Sequence, residues 1–340
     1  MKSYRTMSTF VVALLLSFAG FLTDVQAQNE ARTQATVAYN EARELVSGGN
    51  FDQGIARYIQ ALSTAESAEC EECSDIVELV EGQIPRVYFS RASNAFNEFR
   101  SDRSAAAADQ AIAYFQEAAE IGQEFGDEQV AQQSTRVIPQ IHYNKSLAQY
   151  QQEDFDGALA SLNRAIELNA NYTLAYYQRA IVLNNNGSSL DDIVSAFEQA
   201  IQVGESVGEA DVAARARTRL GEELLYRGTN SLEEEQVGEA IELFTQAEQY
   251  IPEDADLHYR FAEAYNNQGD ASSAIEHAEQ ALELENGGVT ARAKIYYELG
   301  RAYMALDQVS NACSAFEDAS YGDFQGPAQY EIEHNLECNG

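Results

Sequence analysis

This chain predicts an all-α solenoid of about seven helix–turn–helix units. Three observations predict it: an eight-residue phrase that recurs, a recurring distance between its copies, and a second apolar helix ahead of each copy. The phrase reads small, aliphatic, two variable, bulky, two variable, alanine. It opens at Gly54, Ala111, Ala158, Ile193, Ala240, Ala274 and Ala312, and it closes on Ala61, Ala118, Ala165, Ala200, Ala247, Ala281 and Ala319. Its first, fifth and eighth positions fall on one stripe of a helix, so each copy is a buried face whose small ends admit a close neighbour. The last five copies start 35, 47, 34 and 38 residues apart. A period near 34 with two helices per unit is a solenoid signature.

The elements follow in order. After a leader over 1–27, units are expected at 36–69, 84–125, 139–171, 172–204, 210–252, 255–288 and 291–322, with a capping helix at 326–338; residues 28–340 form one elongated domain. One helix pair buries too little apolar surface to offset backbone ordering, which costs about 1–2 kcal/mol per residue. Stacked pairs share a core, so stability accumulates along the array. Departures from the period are expected outside the stack, at Ser63 to Ile84, Ser101 to Asp109 and Gly228 to Gly238.

Two stretches carry a family resemblance. They are His258-Tyr259-Arg260-Phe261-Ala262-Glu263-Ala264-Tyr265 followed by Ala274, Ala278 and Ala281, and Tyr296-Tyr297-Glu298-Leu299-Gly300-Arg301-Ala302-Tyr303 followed by Ala312, Phe316 and Ala319. Both resemble tetratricopeptide repeats (TPRs), in which a Leu-Gly pair and a tyrosine mark the first helix and small, bulky, alanine marks the second. The resemblance covers residues 36 to 338 and is weaker near 84 to 121, where no Leu-Gly pair occurs. It implies a right-handed superhelix with first helices lining a concave face that holds a peptide or partner helix.

Lys2 and Arg5, an apolar run from Phe10 to Leu22, and Val25-Gln26-Ala27 read as a secretory signal peptide cut before Gln28. The apolar run is shorter than the roughly 20 residues of a membrane span. The mature chain is therefore expected outside the cytoplasm, periplasmic or secreted, with no stable membrane insertion. Cys313 and Cys338 flank the expected cap, and the segment between them is similar to the closing segment of secreted bacterial proteins of this family. That likeness implies a disulfide bracketing the cap. Cys70 and Cys73 lie in the long connection after the first unit, where a local disulfide suits an oxidising compartment. A redox site or half a zinc site is the alternative. Glu71 and Glu72 oppose thiolate formation, and His142, His258, His277 and His334 supply no second ligand pattern.

The chain carries 55 acidic against 21 basic residues, a net charge of −34. That balance excludes nucleic acid as an expected partner, since phosphate binding needs a dense basic surface. Scattered carboxylates with three lysines suit a surface screened by high salt, with a cationic ligand as the other reading. No Gly-x-Ser-x-Gly elbow, phosphate loop or His-Glu-x-x-His pair occurs, so no enzyme, metal or cofactor is expected.

Function then falls to surface. Three residues before the small position of each first helix stand Tyr39, Phe89, Tyr143, Tyr177, Thr218, Tyr259 and Tyr297; one or four residues after it stand Asn184, Asn266 and Arg301 among others. Tyrosines beside amides suit peptide recognition, although tyrosine at this place also serves packing alone. Tyr143, Tyr177, Asn184, Tyr259, Asn266, Tyr297 and Arg301 are the candidate partner-binding residues. The expected function is a non-catalytic adaptor for a protein or peptide partner. The alternative is a self-associating envelope protein whose concave face is filled by its own subunit.

Overall fold

A computed structural model describes residues 5–67, 70, 72–336 and 338, with side chains from Gln26 onward. Of the expected leader, residues 1–4 lie outside this range, and only the helical backbone is described for 5–25. The chain is all-α, with no strand among the described residues. It divides into two compact units, residues 1–186 and 187–340. The division falls inside the expected unit 172–204, at Gly187 in the polar turn between its two helices.

The first compact unit holds α1 (Arg5–Ser47) paired with α2 (Phe51–Ala65), a short α3 (Ser74–Glu81), α4 (Ile84–Asp102) with α5 (Ala105–Glu124), α6 (Glu128–Gln151) with α7 (Phe155–Leu168), and α8 (Thr173–Asn185). The second holds α9 (Leu190–Val207), α10 (Ala210–Glu233) with α11 (Val237–Glu248), α12 (Ala255–Gln268) with α13 (Ala271–Leu284), and α14 (Val289–Ala305) with α15 (Val309–Ala319). A 3-10 turn (Gly322–Phe324), α16 (Gln325–Tyr330) and a π-turn (Glu331–Asn335) close it. Below, the first helix of a hairpin is its A helix and the second its B helix.

The recurring phrase is the B-helix core. All seven closing alanines are fully buried, and so are Tyr58, Phe115, Leu162, Phe197, Phe244 and Phe316 at the bulky position. Alanine there lets backbones approach. At some of these contacts glycine leaves the needed room: a Cβ on Gly122 of α5 would stand 2.7 Å from the Ala131 backbone nitrogen of α6, and one on Gly300 of α14 2.8 Å from the Phe316 ring. Six helix starts carry side-chain caps from short polar residues. Asp127, Asp154, Asp254 and Asp270 accept from the backbone N–H three residues on, and Ser104 and Ser189 do the same.

Each A-to-B turn contains one residue in the left-handed region: Gly49, Arg103, Glu153, Gly187, Glu235, Gly269 and Asp307. A side chain in that region costs roughly 1–2 kcal/mol. Four hairpins accept this strain, which tells that the turn is imposed by the packing of its two helices.

Two departures from the period differ from expectation. The connection after α2 is not an outer loop. Cys70 and Cys73 are buried beside Ile76 and Val80 of α3, in one cluster with Ala31, Ala35 and Tyr58, because α3 turns its apolar stripe onto α1 and α2. The third A helix begins at Glu128, ahead of the Pro139 start. Asp127 caps it there, and Pro139 sits inside the helix.

Candidate partner-binding face

The aromatic row is built into the hairpins. Tyr39 meets Tyr58 edge-on at 5.7 Å between ring centres, Phe89 meets Phe115 at 5.6 Å, and Tyr297 meets Phe316 at 5.5 Å. In each pair the A-helix ring rests on the bulky position of its own B helix. Such edge-to-face pairs add to area burial. The rings at 39, 89, 143, 177 and 297 stay half-buried, so each packs with one part and faces outward with another. Tyr143 leans on Tyr172 at 5.3 Å, and Tyr297 is further covered by Phe324 at 5.4 Å.

Tyr259 differs from the expected open ring. It is 7% exposed, with Lys294 Nζ 4.4 Å and Arg260 5.1 Å from its ring centre. Its B-helix counterpart is Ala278, too small to hold the ring outward, so Tyr259 sinks into the α12–α14 seam. Burial pushes its phenol well above the ordinary range, and Glu263 and Glu298 push the same way.

Asn266 and Arg301 converge on one buried carboxylate. Asn266 Nδ2 donates to Glu298 Oε2 at 2.8 Å and to the Glu298 carbonyl at 2.9 Å, and Arg301 Nη1 donates to Oε2 at 2.9 Å. Arg301 Nη2 also donates to Asn267 at 3.0 Å. Glu298 is 4% exposed; burial raises its pKa, while Arg301 and Asn266 pull it back. Two residues expected to meet a partner therefore tie α12 to α14. Lys294 reinforces the seam through Asp256 at 2.5 Å. Sequence reasoning missed Glu298, because a glutamate between Tyr297 and Leu299 carries no sign of burial.

Next to this seam lies a histidine pair, His258 buried and His277 half-buried. His258 Nε2–H donates to the Pro252 carbonyl at 2.9 Å, which leaves Nδ1 to accept from His277 Nδ1–H at 3.1 Å. The rings of Phe261 and Tyr265 stack on His277 at 4.3 and 5.4 Å. Burial, then the neighbouring His258, lowers the His277 pKa to about 4.

Tyr143, Tyr177 and Asn184 lie on α6 and α8, each half-buried. The four cysteines form the bonds Cys70–Cys73 and Cys313–Cys338, with Cα atoms 5.5 and 5.8 Å apart. Arg32 of α1 clamps the first bond's loop, donating to the Glu72 carbonyl and to both Asp75 oxygens at 2.9 and 2.7 Å. That hydrogen bonding lowers the Asp75 pKa. The second bond ties the closing segment to α15, where Ala328, Ile332 and Leu336 cover Phe316 and Ala319. Among the described residues no cluster of three metal-ligating side chains occurs, and no helix is long and apolar enough to cross a membrane.

The fold and this face define a helical-hairpin repeat protein. Tetratricopeptide-repeat models match residues 143–207, 231–283 and 293–321, and across these stretches the chain is a tetratricopeptide-repeat protein. The repeat gives it a protein–protein interaction role. Among solved structures, MamA is similar at 17% identity over 58% of this chain and 96% of its own, with a TM-score of 0.36. YrrB, described as a TPR protein with an unusual peptide-binding site, is 20% identical over 58% of this chain and 89% of its own, with a TM-score of 0.31. The TPR2AB domain of yeast Sti1 in its pHSP90 complex is 16% identical over 89% of this chain and 93% of its own, with a TM-score of 0.29.

Proposed function

We propose that this protein is a non-catalytic adaptor outside the cytoplasm, exported by its N-terminal leader, that docks a peptide segment or partner helix on its A-helix face. One observation carries the reading. Half-buried rings recur at one A-helix position, at 39, 89, 143 and 177 in the first unit and again at 297 in the second, each partly packed and partly exposed. A ring fixed in this way offers contact area at low entropic cost on binding. The interior of the second unit's face is occupied by the Glu298 network, so partner contact there falls to the rims of Tyr297 and Arg301 and not to Tyr259.

Two measurements test the reading. Export is tested by fractionating cells that express the chain with a C-terminal tag: the leader reading predicts an extracytoplasmic product beginning at Gln28, and an uncleaved cytoplasmic product contradicts it. Docking is tested by affinity capture with the mature chain and with Tyr143→Ala/Tyr177→Ala. Loss of a captured partner by the variant, with unchanged circular dichroism, supports the face. Equal recovery by both proteins removes it. A stable dimer in light scattering, broken by the same substitutions, would replace the adaptor with self-association.

A further inference from the structure

We propose that the groove between the C-terminal ends of α4 and α6 is a carboxylate-binding subsite, taking an acidic peptide segment through Arg100 and Arg103. The proposal rests on the interaction role above and names the chemistry of the partner. The groove has a volume of about 300 Å³ and is lined by Phe99, Arg100 and Arg103 from α4 and its turn, and by Asn144, Leu147 and Gln151 from α6. Buried Phe99 and half-buried Leu147 give an apolar floor, and two guanidiniums and two amides stand around it.

At least twelve Lys and Arg side chains are held in ion pairs, including Arg91 with Asp52 and Glu117, and Lys145 with Asp109. Arg100 and Arg103 are in none of them, and both are exposed. The carboxylates nearest in sequence are turned elsewhere. Glu98 accepts from Asn94 at 2.8 Å, and Asp102 accepts from the Ser104 hydroxyl. Arg103 stands at the left-handed position of the α4–α5 turn, where it ends α4.

Helix-dipole compensation explains a cation in the last turn of α4. It does not explain a second one beside it, nor the amides of Asn144 and Gln151 brought to the same groove by α6. Guanidinium forks and amide N–H groups are the donors a carboxylate accepts from. The chain's overall negative charge does not forbid the contact. The screening length is about 8 Å at physiological ionic strength, so distant carboxylates are muted while a contact pair is not. The fork geometry favours a carboxylate over a diffuse negative surface.

The probe is a fluorescein-labelled twelve-residue peptide of alternating glutamate and alanine, with the glutamine–alanine peptide as its control, followed by anisotropy on the mature chain. The expected result has four parts. The glutamate peptide binds and the glutamine peptide does not; binding weakens from 50 to 500 mM NaCl; Arg100→Gln/Arg103→Gln weakens it at least tenfold; and Arg100→Lys/Arg103→Lys falls between. Both arginines are exposed, so unchanged circular dichroism should accompany the loss. Equal binding by wild type and the glutamine variant, equal binding of the two peptides, or no binding of the glutamate peptide overturns the subsite. The adaptor reading survives that result if Tyr143→Ala/Tyr177→Ala still loses its partner, and falls separately if it does not.

Discussion

The two compact units build the same hairpin and spend their charge differently. Residues 1–186 carry 24 acidic and 13 basic side chains, a net −11, whereas residues 187–340 carry 31 and 8, a net −23. In the first unit, A helices are tied to B helices by ring pairs such as Tyr39–Tyr58 and Phe89–Phe115, and Arg100 and Arg103 are left without a carboxylate. In the second, neighbouring A helices are laced by polar groups: Asn266 and Arg301 on Glu298, and Lys294 on Asp256. The difference teaches that a similar repeat position does not fix a similar role. Tyr259 and Tyr297 stand at the same place in successive repeats, and Ala278 against Phe316 decides which of them sinks.

The comparison breaks first at the bulky core position. Phe115→Ala in the first unit and Phe316→Ala in the second each remove a fully buried ring and should cost about 3–5 kcal/mol in urea unfolding. Similar costs would show that both units depend on this position; a Phe316 variant losing under about 1 kcal/mol would mean that the closing segment and its disulfide, and not the ring, hold the last hairpin.

The disulfides sharpen it next. Cys313 and Cys338 are 25 residues apart and Cys70 and Cys73 only three, so the loop-entropy account assigns about 3 kcal/mol to the first and clearly less to the second. Thermal unfolding of Cys313→Ser/Cys338→Ser and of Cys70→Ser/Cys73→Ser should rank in that order. The reverse order would mean that burial of Cys70 and Cys73 against α1 matters more than loop closure.

Glu298→Ala leaves Asn266 and Arg301 facing a void and should cost about 2 kcal/mol, with Glu298→Gln milder because it keeps an acceptor for Asn266. Equal losses for the two variants would show that charge, not hydrogen bonding, holds the seam.

Acid should reach the second unit through the histidine pair. The His277 pKa near 4 in the fold lies below its ordinary 6.5, so the unfolded chain binds more protons between these values. The contribution is complete above pH 6.5 and is lost as pH falls toward 4. The groups around the cluster are His258 from α12, and Glu248, Asp270 and Glu276, which act on the Tyr265 phenol at its edge. The drop in Tm from pH 7 to pH 4.5 should be smaller in His277→Phe than in wild type. An equal drop would assign the acid sensitivity to carboxylates alone.

The smallest effect is a gain. Glu235→Gly relieves a left-handed side chain in the α10–α11 turn and should stabilise by up to about 1 kcal/mol in chemical unfolding, less the added freedom of the unfolded chain.

The hairpins were legible because the phrase Ala240…Phe244…Ala247 and its relatives state helix, face and close approach in three residues. The Leu299-Gly300 pair likewise showed where α14 must approach Phe316. The turns were not legible. Only three of seven carry glycine at the left-handed position, since helix packing imposes the turn on Arg103, Glu153, Glu235 and Asp307 regardless of local preference. Helix α3 was missed because Ser74–Glu81 is too short for its period to stand out, although Ile76 and Val80 carry it. Of the candidate face, the row of rings was visible. Which rings stay open was not, because that depends on the residue opposite and on a glutamate whose burial only the assembled seam reveals.

The central claim is that a partner docks on the A-helix face. Hydrogen–deuterium exchange of the mature chain, alone and with a captured partner, tests it most directly. The account predicts that protection gained on binding concentrates in the A helices α4, α6 and α8, with the B helices α5 and α7 unchanged. Protection confined to α5 and α7, with α6 and α8 unaltered, would contradict it.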